Sequence, residues 1–274
     1  MAIPYAEVIG DPIAHSKSPL IHRFWLGKLG LEGEYRAVRV APSELPDWLA
    51  ARRGDPAWRG CNVTIPHKLS IINLLDEVDD QGVGAVNCVL PRSGRLVGRN
   101  TDVAGVEEAL GDDVGPGAPV CLIGAGGGAR AAIAALAGMG VGELRIIARD
   151  QVAGRDLLDG FAMEGAVFGF EDADEALDDC AGVVNASPLG MAGFPVMPET
   201  VLNGLSFVHA GGFVLDMVYG SATTHLIVQA ERAGLKTKDG LTMLTGQAKQ
   251  AFHYFFEAAA PAEHDGTLRQ LLAA

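Results

Sequence analysis

The chain has 274 residues, 49% of them apolar and 20% charged; this suffices for one large core or two ordinary ones and excludes disorder as its main state. Its 36 glycines follow no G-X-Y period, which excludes a fibrous protein, and aromatics at 6% are too sparse for a surface that stacks single-stranded nucleic acid. A net charge of −13 repels a phosphate backbone, so nucleic acid is not an expected partner, whereas a small anionic ligand in a pocket of different local sign stays compatible.

Apolar runs alternate with helical patterns along the chain, the signature of an α/β protein with parallel strands. Residues 5–10 read as a strand, and 19–29 as a helix with Ser18 as N-cap and Pro19 at its first position. A strand at 35–40 precedes a helix at 43–53, and 60–65 end a further strand before Pro66. Residues 85–90 and 95–98 read as two strands joined by a turn at 91–94. The Gly-, Pro- and Asp-rich stretch 111–119 reads as a loop between elements. A short buried strand at 120–123, a glycine cluster at 124–128, a helix at 129–139 and a strand at 144–148 come next. Further β and α segments are expected at 166–169, 173–177, 182–186, 214–217 and 223–233, then a long helix at 241–259 and a last one at 266–272.

The cluster Gly124-Ala125-Gly126-Gly127-Gly128-Ala129 matches the dinucleotide fingerprint G-x-G-x-x-G/A. The first glycine permits a tight turn after the strand, the second lets backbone approach a pyrophosphate, and the small residue at Ala129 lets helix and sheet pack closely. The helix start offers N–H groups and partial positive charge to the phosphates. The alternative is a glycine-rich turn without a ligand, but a strand before and a helix after favour the cofactor. At the end of the next predicted strand stand Ala148-Arg149-Asp150, with Arg155 beyond. An arginine there suits the 2′-phosphate of NADP and an acid the ribose hydroxyl of NAD, so Arg149 favours NADP and Asp150 favours NAD; the alternative for either is a solvated surface position.

His15-Ser16-Lys17-Ser18-Pro19 places two hydroxyls at the mouth of a helix, a combination suited to a carboxylate; capping alone would explain Ser18 but not Ser16. Asn62-Val63-Thr64-Ile65-Pro66-His67-Lys68 ends a strand with polar side chains and a lysine, where α/β proteins put chemistry. Lys68 there is a proton donor in a partly buried site and solvated surface otherwise. Asn87 and Asn100-Thr101-Asp102 add polar groups; Asp102 is either a carboxylate partner for Lys68 or a helix N-cap. The seven histidines show no clustered spacing and the four cysteines form no C-x-x-C, so neither a metal nor a disulfide is expected and a reducing, cytoplasmic compartment fits. The first five residues carry no basic segment followed by an apolar run, so no signal peptide is expected. Residues 120–142 hold seven glycines and Arg130 and are rejected as a membrane span.

Together these segments resemble the shikimate dehydrogenase family, the shikimate/quinate 5-dehydrogenases. The resemblance runs along the whole chain and also takes in Gly84-Ala85-Val86-Asn87, Asn185-Ala186-Ser187-Pro188-Leu189-Gly190-Met191, Asp216-Met217-Val218-Tyr219, Asp239-Gly240-Leu241 and Gly246-Gln247-Ala248. It implies reversible reduction of 3-dehydroshikimate to shikimate by a nicotinamide cofactor, on the way to chorismate and the aromatic amino acids. The implied architecture is an open α/β substrate domain at 1–103, a Rossmann-like parallel-sheet NADP-binding domain at 104–238, and C-terminal helices at 239–274 returning to the first domain, with the active site in the cleft. It implies that Ser16 and Ser18, helped by Tyr219, hold the substrate carboxylate. Thr64, Asn87, Asp102 and Gln247 would hold its hydroxyls and carbonyl region, and Lys68 paired with Asp102 would be the acid/base. Residues 124–128, 148–150 and Arg155 would contact the cofactor, with Met217 and Gly240 near the nicotinamide. The chain departs from many relatives at Ala148-Arg149-Asp150, where they have Asn-Arg-Thr, at Arg155, which sits one residue late, and at Cys88, which replaces a common threonine. NADP is the expected cofactor, with NAD as the alternative. The other readings are an NAD-linked quinate or dual quinate/shikimate dehydrogenase, favoured by Asp150, and a dinucleotide-sensing regulatory module. The expected partner is a small-molecule substrate, with no nucleic acid or membrane, in a monomer or homodimer.

Overall fold

A computed structural model describes residues 2–220 and 223–274. The chain divides into two compact units: one runs to Thr101 and resumes over Thr245–Ala274, and the other is Asp102–Leu244.

The first unit contains β1 (Tyr5–Gly10), α1 (Ser18–Leu29), β2 (Glu34–Arg39), α2 (Leu45–Arg53), β3 (Trp58–Val63), α3 (His67–Ser70), β4 (Glu77–Asp79), β5 (Cys88–Arg92) and β6 (Arg95–Arg99). Its sheet has the order β2-β1-β3-β5-β6-β4. Strands β2, β1 and β3 run parallel, and β5 and β6 form an antiparallel hairpin. Ser93 and Gly94 close that hairpin with φ of 52° and 79°, the pair of left-handed residues that a tight type I′ turn needs. Strand β1 is buried along its whole length. Its one charge, Glu7, is paired with Arg52 of α2 at 2.9 Å, which makes that burial tolerable. Ile9, Leu49, Trp58 and Leu96 pack one face of the sheet, while Ala6, Val8, Tyr35 and Leu90 pack the other.

The start of α1 corrects the expected cap. Ser18 is the first helical residue with Pro19 second, Lys17 occupies the cap position, and the cap makes no side-chain hydrogen bond. The hydroxyl at the helix mouth belongs to Ser16, whose Oγ accepts the Ser18 N–H at 3.3 Å. Ser18 is itself buried.

The second unit contains α4 (Asp102–Leu110), β7 (Pro119–Ile123), α5 (Gly127–Gly138), β8 (Glu143–Ile147), α6 (Gln151–Phe161), β9 (Gly165–Phe168), α7 (Ala173–Leu177), β10 (Gly182–Asn185), α8 (Glu199–Gly204), β11 (Phe213–Asp216), α9 (His225–Arg232) and β12 (Lys236–Asp239). All six strands are parallel, in the order β9-β8-β7-β10-β11-β12. That is the doubly wound order 3-2-1-4-5-6, which reverses between β7 and β10 and so opens its crevice at their C-terminal ends. Alternation along β7 sends Val120 and Leu122 to a core with Ala132 and Leu136 of α5, and Cys121 and Ile123 to one with Leu177 and Val201. Helices on both faces explain why β7 is a continuous apolar run.

Last come α10 (Gly240–Phe256) and α11 (Asp265–Ala273), and the division between the units at Leu244 and Thr245 falls inside α10. Ala251 and Phe255 of α10 cover the face of the first sheet that carries Ala6 and Leu90. Among the described residues, no helix is long and apolar enough to cross a membrane.

His22 of α1 lies wholly inside this second face. Its ring stacks on Tyr35 at 3.9 Å with 2° between planes, and neither ring nitrogen has a hydrogen-bond partner. Burial pushes its pKa down from 6.5 to about 3, so the folded protein keeps it neutral. The unfolded chain takes up a proton below pH 6.5 that the folded chain refuses, so acid destabilises the fold. This residue should remove on the order of 1 kcal/mol of stability per pH unit below 6.5, down to about pH 3. Denaturant titrations of the wild type and His22→Phe across that window should show a shallower pH slope for the variant.

Candidate functional site

In the first unit Thr64 and Lys68 lie beyond the C-terminal end of β3, and Asn87 stands at the entrance of the neighbouring, antiparallel β5. Thr64 follows β3 and keeps its N–H on the Ile9 carbonyl at 2.9 Å. The adjoining turn is fixed by His67, whose N–H reaches the Thr64 carbonyl at 2.9 Å and whose Nε2 lies 2.7 Å from the Val40 carbonyl. A carbonyl only accepts, so His67 carries its proton on Nε2. Lys68 is the next residue, half-buried on α3, and its carbonyl accepts the Val86 N–H at 2.8 Å. The lysine is therefore tied by backbone to the strand entrance that carries Asn87.

Asn87 is buried, and both ends of its side-chain amide are occupied by Thr101. Its Oδ1 accepts the Thr101 N–H at 2.7 Å, and its Nδ2 donates to Thr101 Oγ1 at 2.9 Å. Thr101 in turn donates its hydroxyl to Gln247 Oε1 at 3.2 Å, across 146 positions of sequence. Thr101 Oγ1 accepts a proton from Asn87, and its own proton is within reach of two acceptors, Gln247 Oε1 at 3.2 Å and Asn87 Oδ1 at 3.3 Å. Two sequence candidates, Asn87 and Gln247, are thus locked together by Thr101. Thr101 stands inside a motif the sequence flags, but nothing in its local pattern assigns it a role. Ser16 and Ser18 are likewise linked, and the intervening Lys17 donates to the Leu272 carbonyl of α11. Asp102 opens the second unit as the buried first residue of α4, not as the residue before it. A carboxylate in a first turn faces the positive end of the helix.

In the second unit the glycine loop lies at the reversal of strand order. Gly124 has φ +110°, and a Cβ there would meet the Ser187 backbone N at 3.1 Å, so the residue after β7 must be glycine to pack against the loop after β10. Gly126 caps α5, and a Cβ there would meet nothing within 4 Å, so its backbone borders open space at the start of a twelve-residue helix. Backbone N–H groups facing open space at a helix start fit a dinucleotide pyrophosphate. Helix α5 begins at Gly127, two residues before the expected start. A Cβ on Gly128 would lie 3.5 Å from Met217 Cε, and one on Gly240 would lie 2.6 Å from the Met217 carbonyl. Gly128, Met217 and Gly240 are therefore neighbours. Ala125 borders the core on the α5 face of the sheet and Ala148 is part of that core. Arg149, Asp150 and Arg155 are exposed at the start of α6. The Asp150 carboxylate accepts the Ala153 N–H at 3.1 Å and caps that helix, which is a structural use for this acid. Tyr219 is half-buried just beyond β11.

The ends of β10 and β11 carry a buried network to which the sequence pattern assigns no role. Asp216 Oδ1 accepts from Asn185 Nδ2 at 2.8 Å and from the Val218 N–H at 3.0 Å, and its Oδ2 accepts the Thr224 hydroxyl at 2.5 Å. Asn185 Oδ1 accepts the Ser187 hydroxyl at 2.7 Å. The network thereby fixes the Ser187 loop on which Gly124 rests and the β11 end that carries Met217. Burial raises the Asp216 pKa, opposed by the three donors. The detectable signal is that two otherwise apolar strands, Gly-Val-Val and Phe-Val-Leu, end on Asn and Asp.

Residues 8–89 match the family model described as the shikimate dehydrogenase substrate binding domain. A protein of Sphingopyxis alaskensis named shikimate dehydrogenase (NADP(+)) is 46% identical over 276 residues, spanning 100% of this chain and 98% of that one. A crystal structure of the Thermus thermophilus shikimate 5-dehydrogenase in complex with NADP(H) and shikimate superposes with a TM-score of 0.82 at 32% identity, covering 98% of this chain and 100% of that one. The Listeria monocytogenes shikimate 5-dehydrogenase in complex with shikimate and NAD gives a TM-score of 0.84 at 28% identity, covering 98% and 96%.

Asp216→Ala removes the acceptor shared by the Asn185 amide, the Val218 N–H and the half-buried Thr224 hydroxyl and should lower the unfolding free energy by roughly 2–4 kcal/mol, measured by urea titration. Asp216→Asn keeps one oxygen and supplies a donor that the Thr224 hydroxyl can accept, so its loss should be smaller.

Proposed function

The chain belongs to the shikimate dehydrogenase family, and on that premise we propose that it interconverts 3-dehydroshikimate and shikimate with NADP as its cofactor. The observation that carries this reading is the likeness over the full chain, joined to a polar cluster at Asn87, Thr101 and Gln247 in one unit and a glycine cradle in the other. The first unit is the substrate domain in this reading and the second the cofactor domain.

The glycine loop would hold the pyrophosphate, with backbone N–H groups of α5 as donors. Arg149 would meet the 2′-phosphate, with Arg155 nearby. The engagement of Asp150 as a helix cap supports NADP over NAD, because the acid that would otherwise bind the ribose hydroxyl is already accepting the Ala153 N–H. Met217 and Gly240 would border the nicotinamide. When bound, the cofactor supplies or takes up the hydride.

The chain's own residues handle position and protons. Ser16, Ser18 and Tyr219 would hold the carboxylate, and Thr64, Asn87, Asp102 and Gln247 the hydroxyls and carbonyl region. Reduction of a ketone builds negative charge on its oxygen. An ammonium at Lys68 both stabilises that charge and delivers the proton, and in the reverse direction the neutral amine takes it back. Asp102 would be its carboxylate partner.

Lys68→Ala should lower kcat by about 10²–10⁴-fold, the usual contribution of a positioned acid/base group, and unchanged turnover would remove the assigned role. Cofactor choice is read from kcat/KM for shikimate and quinate with NADP and NAD. Shikimate with NADP should be preferred, and Arg149→Ala should weaken NADP use by roughly ten- to a hundredfold, the value of a charge-assisted hydrogen bond, while sparing NAD. Higher efficiency with quinate and NAD would establish the alternative specificity instead.

A further inference from the structure

Behind Asn87 lies a second pair of buried polar residues. Tyr35 is the one buried residue of β2, and its hydroxyl donates to Asn62 Oδ1 at 2.6 Å. Asn62 Nδ2 then donates to the backbone carbonyl of Asn87 at 3.2 Å. The same carbonyl accepts the Val63 N–H at 2.8 Å, and the Asn87 N–H reaches the Arg99 carbonyl at 3.0 Å. The orientation of Asn62 is not free. Turned over, its Oδ1 would face the Asn87 carbonyl, acceptor against acceptor, so only one setting satisfies both neighbours. Tyr35 is equally constrained, because its ring lies flat on His22 and reaches Asn62 from the same sheet face as Ala6 and Val8. None of these groups can recruit water cheaply, since Tyr35 is 0% and Asn62 6% exposed.

We propose that Tyr35 and Asn62 are positioning residues for substrate, acting as a hydrogen-bonded relay that sets the backbone at Asn87 and hence the Asn87–Thr101–Gln247 arrangement. Neither is assigned a substrate contact. Their influence runs through one carbonyl: losing the Asn62 donor removes one of its two hydrogen bonds and leaves the residue held by its ladder bonds alone, and any adjustment of Asn87 reaches Gln247 because Thr101 couples them. The inference rests on the reading that Asn87 contacts substrate, and the test separates the two.

The experiment measures KM for shikimate, KM for NADP, kcat and thermal midpoint for Tyr35→Phe, Asn62→Asp, the double variant, and Asn87→Ala in the full chain. Tyr35→Phe keeps the ring and its stacking and deletes only the hydroxyl. Asn62→Asp keeps the acceptor for Tyr35 and replaces the donor to Asn87 by an oxygen. Each single variant should raise KM for shikimate by roughly three- to tenfold, the value of one hydrogen bond, with KM for NADP unchanged. The double variant should be no worse than Asn62→Asp alone, because both changes cut one relay. A merely structural role would lower the thermal midpoint without splitting the two KM values, and that result overturns the proposal. If Asn87→Ala raises KM for shikimate while Tyr35→Phe and Asn62→Asp leave it unchanged, the relay alone fails. If Asn87→Ala also has no effect, the assignment of Asn87 to substrate fails with it.

Discussion

A buried amide or carboxylate without a partner costs several kcal/mol, and this protein places such groups at or beside the termini of its buried strands. Asn62, Asn87, Asn185 and Asp216 are each exposed by no more than 6%. Their hydrogen bonds are consequently obligatory, and they decide where the chain beyond each strand runs. In the first unit the obligation falls on Thr101, which satisfies both ends of the Asn87 amide and then reaches Gln247. In the second it falls on Asp216, which gathers Asn185, Thr224 and the Val218 N–H. Loops that would otherwise sample many conformations are held at the places where α/β sheets put their ligands.

The glycine loop works by the opposite means. There the chain removes side chains so that backbone can approach backbone. Gly124 lets the end of β7 lie against Ser187, and Gly126 leaves the start of α5 facing open space. The two devices are coupled, because Ser187 is fixed by its hydroxyl on Asn185, which is held by Asp216. A rigid polar network thus supports a cradle built of the most permissive residue, and the flexibility that glycine brings is confined by its neighbours.

Much of this is legible residue by residue. The apolar runs of β1 and β7 and the fingerprint after β7 locate strand and loop, since alternation and glycine spacing are properties of near neighbours in sequence. The strands β4 and β12 escape such reading because Glu77-Val78-Asp79 and Lys236-Thr237-Lys238-Asp239 are polar segments at the sheet edges, where charge guards an unpaired face rather than marking a loop. The helix α6 escapes because little of it beyond Leu157 and Leu158 is apolar and buried. The serine pair shows a finer limit. The pattern Ser-Pro marks a helix start, yet the hydroxyl that serves it comes from Ser16, because Ser18 is drawn into the interior.

From sequence alone come the α/β class, the dinucleotide loop, the family likeness and the residue types available for proton transfer and anion binding. These depend on composition and on spacings of a few residues, which the backbone's own geometry interprets. Only the tertiary structure decides that Thr101 lies between Asn87 and Gln247, that Met217 meets both Gly128 and Gly240, and that Asp150 is occupied as a cap. Such pairings join positions far apart in the chain, or choose among several uses of one side chain. The choice is made by which buried donors and acceptors find partners once the sheets have formed, a condition no local pattern contains.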